Sequence, residues 1–249
     1  KEQILKDFKE ISFSSLSCRF VDFYIYVFLT CKKFGIEEAN NKHIGWLNKS
    51  ITRCNTESMF ALANIYMNTP QTVHVAKVIE LYTLAAANGH AHAQFNLGCR
   101  YRTGDGVSID FKQCIKLWEQ SAKQGFTHAC FNLSQLYRKG SKDREDGCQA
   151  NCMTIPLNYL LYYKWAMIGA KQGHVICMAS VGEAYATGRG IEQNYPKAFE
   201  WRMKAAKNEN RNSQYNVAIM LKHGIGCVQN REHAMFWYNK WLHSTIVNS

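Results

Sequence analysis

An all-α superhelical solenoid of about five to six stacked helical hairpins is the fold this sequence predicts, and three observations carry it. The first is a series of bulky residues, Trp46, Leu81, Leu117, Trp165, Trp201 and Trp237, spaced 35, 36, 48, 36 and 36. The second is an independent series ending the other helix of each unit, Tyr66, Tyr101, Tyr137, Tyr185 and Leu221, spaced 35, 36, 48 and 36. The third is a Gly-x-Gly turn that returns at Thr103 to Val107, Thr187 to Ile191 and His223 to Cys227. A period of this size means stacked modules. Because both series share one irregularity, a single module holds an insert of about 12 residues between Tyr137 and Trp165.

In chain order, residues 1–54 read as N-terminal capping helices with a degenerate first repeat: Cys18 to Lys33 is apolar enough for a helix but lacks the later pattern. Repeats follow at about 55–89, 90–125, 126–173 with the insert near 141–155, 174–209 and 210–245. The first helix of each carries Ala, then Leu, then a small residue, then Tyr, seen best as Ala93, Leu97, Gly98, Tyr101 and Ala129, Leu133, Ser134, Tyr137. These offsets of 4, 5 and 8 share one helical face. The turn glycines suit a helix end at positive φ. A second helix then begins near Asp110 or Tyr195-Pro196, where an acidic cap or a first-turn proline fits an N-terminus. It carries residues such as Trp201, Ala205 and Ala206 and closes at a glycine such as Gly125 or Gly173. One hairpin cannot cover its own apolar face, so the modules stack. A buried Trp201 would cost about 3–5 kcal/mol on truncation to Ala. The last helix, Glu232 to His243, has nothing after it to cover its outer face, which leaves oligomerisation through end helices open.

Composition narrows the class. In 249 residues, 47% hydrophobic and 20% charged content with a mean hydropathy of −0.32 excludes a disordered, collagen-like or multi-span membrane chain. The longest apolar run, Phe20 to Leu29, contains Asp22 and falls short of the roughly 20 residues a bilayer needs. The acidic residues Glu2, Asp7 and Glu10, with no small-residue cleavage site after them, do not read as a signal or transit peptide. A net charge of +11 favours acidic partners. The 10 cysteines are too sparse for a disulfide scaffold, and Cys54, Cys99, Cys114, Cys130 and Cys177 lie on helical runs where a free thiol acts as a small hydrophobe. A reducing compartment follows, the cytoplasm or a host cytoplasm for a secreted bacterial factor, with mitochondria open if a targeting segment was removed.

The string from Ala93 to Val107, with Lys197 to Ala206, resembles the Sel-one-like repeat family, most closely from about 90 to 209 and in all over 55–245. The longer period and the Gly-x-Gly turn separate it from the 34-residue tetratricopeptide repeats. The resemblance implies a superhelical adaptor that holds other proteins together, and no chemistry. Departures are the insert and Asn208-Glu209-Asn210 where other copies have Gly. Cysteine-rich bacterial relatives join the two helices of each repeat by a disulfide. Here Ala122, Ala170 and Ala206 hold the place of the partner that Cys130 would need, which argues against that version and its penicillin-binding activity.

Candidate chemistry is sparse. The Gly-x-Gly turns follow a helix rather than a strand and no Gly-Lys-Ser/Thr occurs, so they are not phosphate loops. His90, His92, His128 and His174 follow the module-ending glycine and read as facing the dipole of the helix before them. Cys148 and Cys152 have the spacing of half a zinc site with no second pair nearby, so neither metal nor cofactor is expected. Basic residues gather at first-helix ends: Lys32 and Lys33, Arg100 and Arg102, Arg138 and Lys139, Lys222 and His223. Each alone suits a helix C-terminus; stacked at one period they form a positive ridge. Asn96, Asn132, Ser180 and Asn216 precede the core Leu or Val and either line a groove or link modules. The expected function is a non-catalytic scaffold that receives a protein partner of acidic character on its concave surface, through Asn96, Arg100, Arg102, Asn132, Arg138, Lys139 and Asn216. The alternative is a basic subunit of a ribonucleoprotein or membrane-bound assembly contacting RNA. No paired carboxylates or nucleophile setting support an enzyme. Small-angle scattering is expected to show an elongated curved particle; a compact sphere would refute the solenoid.

Overall fold

The computed structural model describes residues 55–67, 75–140 and 155–246, with side chains to 243. The capping region 1–54, with Lys32, Lys33 and Trp46, and the insert with Cys148 and Cys152 lie outside the described residues. The described residues form ten helices and no strand: α1 (Thr56–Met67), α2 (Val75–Ala87), α3 (Ala91–Thr103), α4 (Phe111–Lys123), α5 (Thr127–Lys139), α6 (Tyr159–Lys171), α7 (Val175–Thr187), α8 (Tyr195–Lys207), α9 (Arg211–His223) and α10 (Arg231–Ile246). The chain divides between Ala93 and Gln94 into two compact units. In the first, α1 packs on α2. In the second, each helix from α4 onward packs on the next, and α5 also touches α7.

Odd-numbered helices are the first of each hairpin and even-numbered ones the second. A repeated backbone bond clasps each hairpin of the second unit: the amide of the second helix's N-cap donates to the carbonyl three residues before the turn glycine. The pairs are Asp110 to Tyr101 at 2.9 Å, Asn158 to Tyr137 at 2.8 Å, Asn194 to Tyr185 at 2.8 Å and Asn230 to Leu221 at 2.9 Å. The same four residues cap through their side chains, accepting from the amides of Gln113, Leu161, Lys197 and His233 at 2.9–3.0 Å. In the turn, Gly188 and Gly224 adopt φ 71° and 70° and their amides close on Ala184 and Met220. The second glycine has another reason: a Cβ on Gly190 would run into the carbonyl of Tyr159, at the start of the preceding second helix.

The core is serial. One cluster joins Cys114, Trp118 and Ala122 of α4, Ala129, Cys130 and Leu133 of α5, and Trp165 of α6. The next joins Ala166 and Ala170 of α6, Cys177, Val181 and Tyr185 of α7, Ala198 of α8 and Met220 of α9. The last joins Ala206 of α8, Val217, Ala218 and Leu221 of α9, and Ala234 and Trp237 of α10. Small first-helix residues lie beneath large second-helix ones. A Cβ on Gly98 would stand 2.6 Å from the Trp118 indole, whose Nε1 donates to the Phe95 carbonyl at 3.1 Å. In the third repeat the sizes invert: Tyr162 and Ala166 occupy the register of Cys114 and Trp118. The Tyr162 hydroxyl then donates to the Ser180 carbonyl at 2.9 Å.

Two expectations are corrected. The fully buried aromatic of its repeat is Trp118, not its half-buried neighbour Leu117, and Trp201 is half-buried with the Lys204 ammonium 4.4 Å from its ring centroid. The histidines serve the helix that follows rather than the one that ends. His90 and His174 are N-caps whose Nδ1 accepts from the amides of Ala93 at 3.1 Å and Cys177 at 3.2 Å. His90 Nε2 lies 3.1 Å from Glu57, while His174 stacks on Phe131 and meets His128 edge-on at 5.3 Å. At the same register Asn210 caps with an ordinary amide oxygen, accepting from Ser213 at 2.9 Å. The residue before it, Glu209, has φ 62°, where the other inter-repeat turns have Gly89, Gly125 and Gly173.

Truncation of Trp118 to Ala is expected to cost about 3–5 kcal/mol in denaturant unfolding, and of Trp201 only about 1–2 kcal/mol. Burial, and then the charge of His128, hold the His174 pKa below its usual value. The neutral ring's contribution is therefore complete above the unfolded histidine pKa, near 6.5, and is lost as pH falls through the folded one. His174→Asn, which copies the Asn210 cap, is expected to narrow the drop in melting temperature between pH 7.5 and pH 5; an unchanged drop would remove His174 as its source.

Candidate functional site

First helices of the second unit lie side by side, and the residues singled out in the sequence recur along them in different settings. Arg100 is buried and ion-paired with Asp105 of the Gly-x-Gly turn, so it holds the turn rather than an exposed ridge. Arg102 is exposed, with its guanidinium 5.7 Å above the Trp118 ring. Lys139, Lys222 and His223 are exposed at the corresponding ends of α5 and α9. The ridge stops at α7, whose last turn has no basic residue. Asn96 and Asn132 are half-buried, and Asn132 Nδ2 reaches Cys99 Sγ of the preceding first helix at 3.9 Å, a link between modules. Ser180 is buried. Asn216 donates to the Asn212 carbonyl of its own helix at 2.8 Å and borders a shallow depression with Tyr215 and Trp241.

The densest polar cluster gathers where the ridge is interrupted. Glu183 of α7 accepts from Arg138 of α5 at 3.0 Å and lies 3.6 Å from Arg189 of the following turn. The Tyr162 hydroxyl of α6 stands 3.4 Å from its other oxygen. Burial, then the Glu183 charge, push the Tyr162 pKa far up, so the phenol stays neutral and donating. Arg189 also lies 5.2 Å over the Tyr159 ring. Arg202 of α8 packs over Gly182, the residue before Glu183, where a Cβ would stand 2.7 Å from its Cγ, and its Nη1 reaches the Met220 thioether at 3.6 Å. Sequence reading found Arg138 but missed Glu183, Arg189 and Arg202. Aligning second helices would have exposed Arg202, which stands in a column with Tyr82, Trp118, Ala166 and Tyr238.

A second surface is a groove of about 710 Å³ between α9 and α10, lined by Tyr215, Ile219, Lys222, Met235, Tyr238 and Trp241 among others. Beside it α10 leaves Phe236 59% exposed. Among the described residues the thiols offer no reactive centre: Cys99, Cys114, Cys130, Cys177 and Cys227 are free, burial raises all five pKa values, and Cys177 is pushed up to about 12. Among the described residues no three His, Cys, Asp or Glu side chains gather as metal ligands, and no helix is long and apolar enough to cross a membrane.

Comparison with known proteins fits this architecture. The chain is 31% identical over 81 residues to the chitin synthase regulator SKT5 of Saccharomyces cerevisiae, a match covering 32% of the chain and 11% of that relative, so the chain spans about a tenth of its length. A Sel1 repeat protein from Oxalobacter formigenes superposes with a TM-score of 0.73 at 20% identity, over 90% of this chain and 84% of that one. A protective antigen of uropathogenic Escherichia coli, with an SLR fold, superposes with a TM-score of 0.74 at 22% identity, over 98% of this chain and 48% of that one. Both show the fold. The family model for the Sel1 repeat matches residues 79–90, 91–126, 127–147, 175–210 and 211–242, and with more than half of its length so matched the chain belongs to the Sel1 repeat family.

Proposed function

We propose that this protein is a non-catalytic scaffold whose first-helix surface receives an acidic segment of a protein partner. Sel1 repeat proteins generally mediate protein–protein interaction. The observation that carries the acidic character is the set of cations along first-helix ends, Arg102, Arg138, Lys139 and Lys222, with Arg189 beside Arg138 on one carboxylate. Asn96, Asn132 and Asn216 on the same helices offer amides for the partner's backbone. Arg100 drops out of the contact set because Asp105 holds it. Five free thiols in apolar surroundings support a reducing compartment.

Affinity capture from a lysate of the source organism tests this reading, with wild type and a variant carrying Arg102→Glu, Lys139→Glu and Lys222→Glu, each with and without nuclease. These three side chains are exposed, so the fold is expected to tolerate their reversal. Proteins retained after nuclease and lost on charge reversal are the expected result. Loss of all partners on nuclease treatment would instead make the protein an RNA-associated subunit, with an affinity that falls steeply with salt.

A further inference from the structure

The last hairpin departs from the packing of those before it. In α4, α6 and α8 a small pair near the helix end, Ser121-Ala122, Gly169-Ala170 and Ala205-Ala206, is buried where the next first helix comes close. A Cβ on Gly169 would stand 2.7 Å from the Cys177 Sγ of α7. In α10 the same register holds Trp241 and Leu242, and Trp241 becomes one wall of the groove of about 710 Å³ that α10 forms with α9. Its ring centroid lies 5.1 Å from that of Tyr215 and 5.3 Å from that of Tyr238, so three rings meet along the groove. Ala218, Ile219, Ala234 and Met235 add aliphatic surface, and Met235 is 60% exposed. A thioether on an unbranched stem adapts to the side chain that meets it.

The charge along this groove has one sign. Lys222 and His223 end α9 and Arg231 opens α10, all three exposed, and among the described residues that line the groove none is acidic. At the other end of α9 the Arg211 guanidinium lies 5.6 Å over the Trp241 ring. Lys240 stands apart, paired with Glu209 at 2.9 Å. A neighbouring depression shares Tyr215 and Trp241 and adds the amide side chains of Asn212 and Asn216. Two turns of α9 separate Tyr215 from Lys222, about 10 Å, the span of about three extended residues.

We infer that the α9–α10 groove binds an acidic peptide segment of a protein partner, with a bulky apolar side chain seated between Met235 and the three rings and carboxylates on the cations at the groove's ends. The inference rests on the scaffold reading above and names where the partner is gripped and by what chemistry. Apolar burial supplies the affinity, and a rim of one sign selects the charge of what enters. A second copy of this chain fits poorly, since it brings the same cations from a chain of net charge +11. A nucleic acid carries a phosphate at every nucleotide, whereas here the cations flank an aliphatic and aromatic stretch.

The test titrates the intact chain with a fluorescein-labelled dodecapeptide of three Glu-Glu-Leu-Phe units, followed by anisotropy at physiological salt. Two control peptides replace Leu-Phe by Ser-Ser or Glu-Glu by Lys-Lys. Met235→Glu puts a carboxylate on the apolar wall, and Arg231→Gln removes a cation from the rim. Phe236→Ser removes an exposed ring of α10 outside the groove, and Lys139→Gln a cation on another helix. All four positions are exposed, and circular dichroism and melting confirm that each variant folds. The expected loss of affinity is about tenfold for Met235→Glu and about threefold for Arg231→Gln, with less than about twofold for Phe236→Ser and Lys139→Gln. Neither control peptide is expected to bind as well as the acidic apolar one. Equal losses in all four variants, equal binding of either control, or no binding by wild type would overturn the groove as a peptide site. So would tighter binding of a decauridylate with the same sensitivity to Met235→Glu, or a dimer in sedimentation velocity that Met235→Glu dissolves. Capture from lysate separates the two readings: partners held undiminished by Met235→Glu overturn the groove and leave the scaffold standing, and a wild type that captures nothing overturns the scaffold itself.

Discussion

The close approach of a first helix to its second, Gly98 beneath Trp118 and Gly182 beneath Arg202, sets the spacing on which the rest of the stack depends. A methyl group at either glycine would meet the side chain above it, and the interior has no slack to absorb the shift. That spacing explains why a large residue is tolerated once per helix pair and why its position can move. In the third repeat the bulk shifts one turn along α6, from the Ala166 register to Tyr162, and the facing position relaxes to Ser134. Volume is roughly conserved and the clusters on either side remain closed. Since each cluster draws on three or four consecutive helices, stability accumulates by nearest-neighbour interfaces.

Features set by spacing along the chain were legible in the sequence, and features set by spacing across it were not. The period, the two-helix repeat, the Gly-x-Gly turn, the buried Ala93, Leu97, Ala129 and Leu133, and the cap at Asp110 follow from local pattern and agree with the structure. The histidines were misassigned because a residue between two helices is adjacent in sequence to both, and only its hydrogen bond shows which one it serves. Arg100 looked like a terminal cation because its burial depends on how the turn folds back to bring Asp105 beside it. Glu183, Arg138, Tyr162 and Arg189 come from α7, α5, α6 and a turn, and nothing in any one segment announces that they meet. The departure at Asn208-Glu209-Asn210 was legible as a break in pattern; that Glu209 takes the left-handed conformation unaided by glycine was not.

A formal charge of +11 describes this protein poorly, because its cations differ in kind. Arg100 is structural, Arg102 rests on an aromatic ring, Lys139 and Lys222 are solvated, and Arg138 and Arg189 share one carboxylate. Solvated charges steer an approaching partner and are screened by salt; crowded, partly buried ones discriminate among the groups that arrive. The scaffold reading thus assigns attraction to the rim of the first-helix surface.

The backbone clasp from second-helix cap to first-helix carbonyl separates two things that most loops combine. Nine residues part the clasped pair in three hairpins, Tyr101 with Asp110, Tyr185 with Asn194 and Leu221 with Asn230, but 21 part Tyr137 from Asn158, and the bond keeps the same length. For a flexible chain that extra length costs only about 0.8 kcal/mol of closure entropy. The clasp thus holds its hairpin at either loop length, while Ile155 next to the third repeat's clasp still reaches the core. An unrelated peptide spliced into such a loop would be carried by the stack without being part of it.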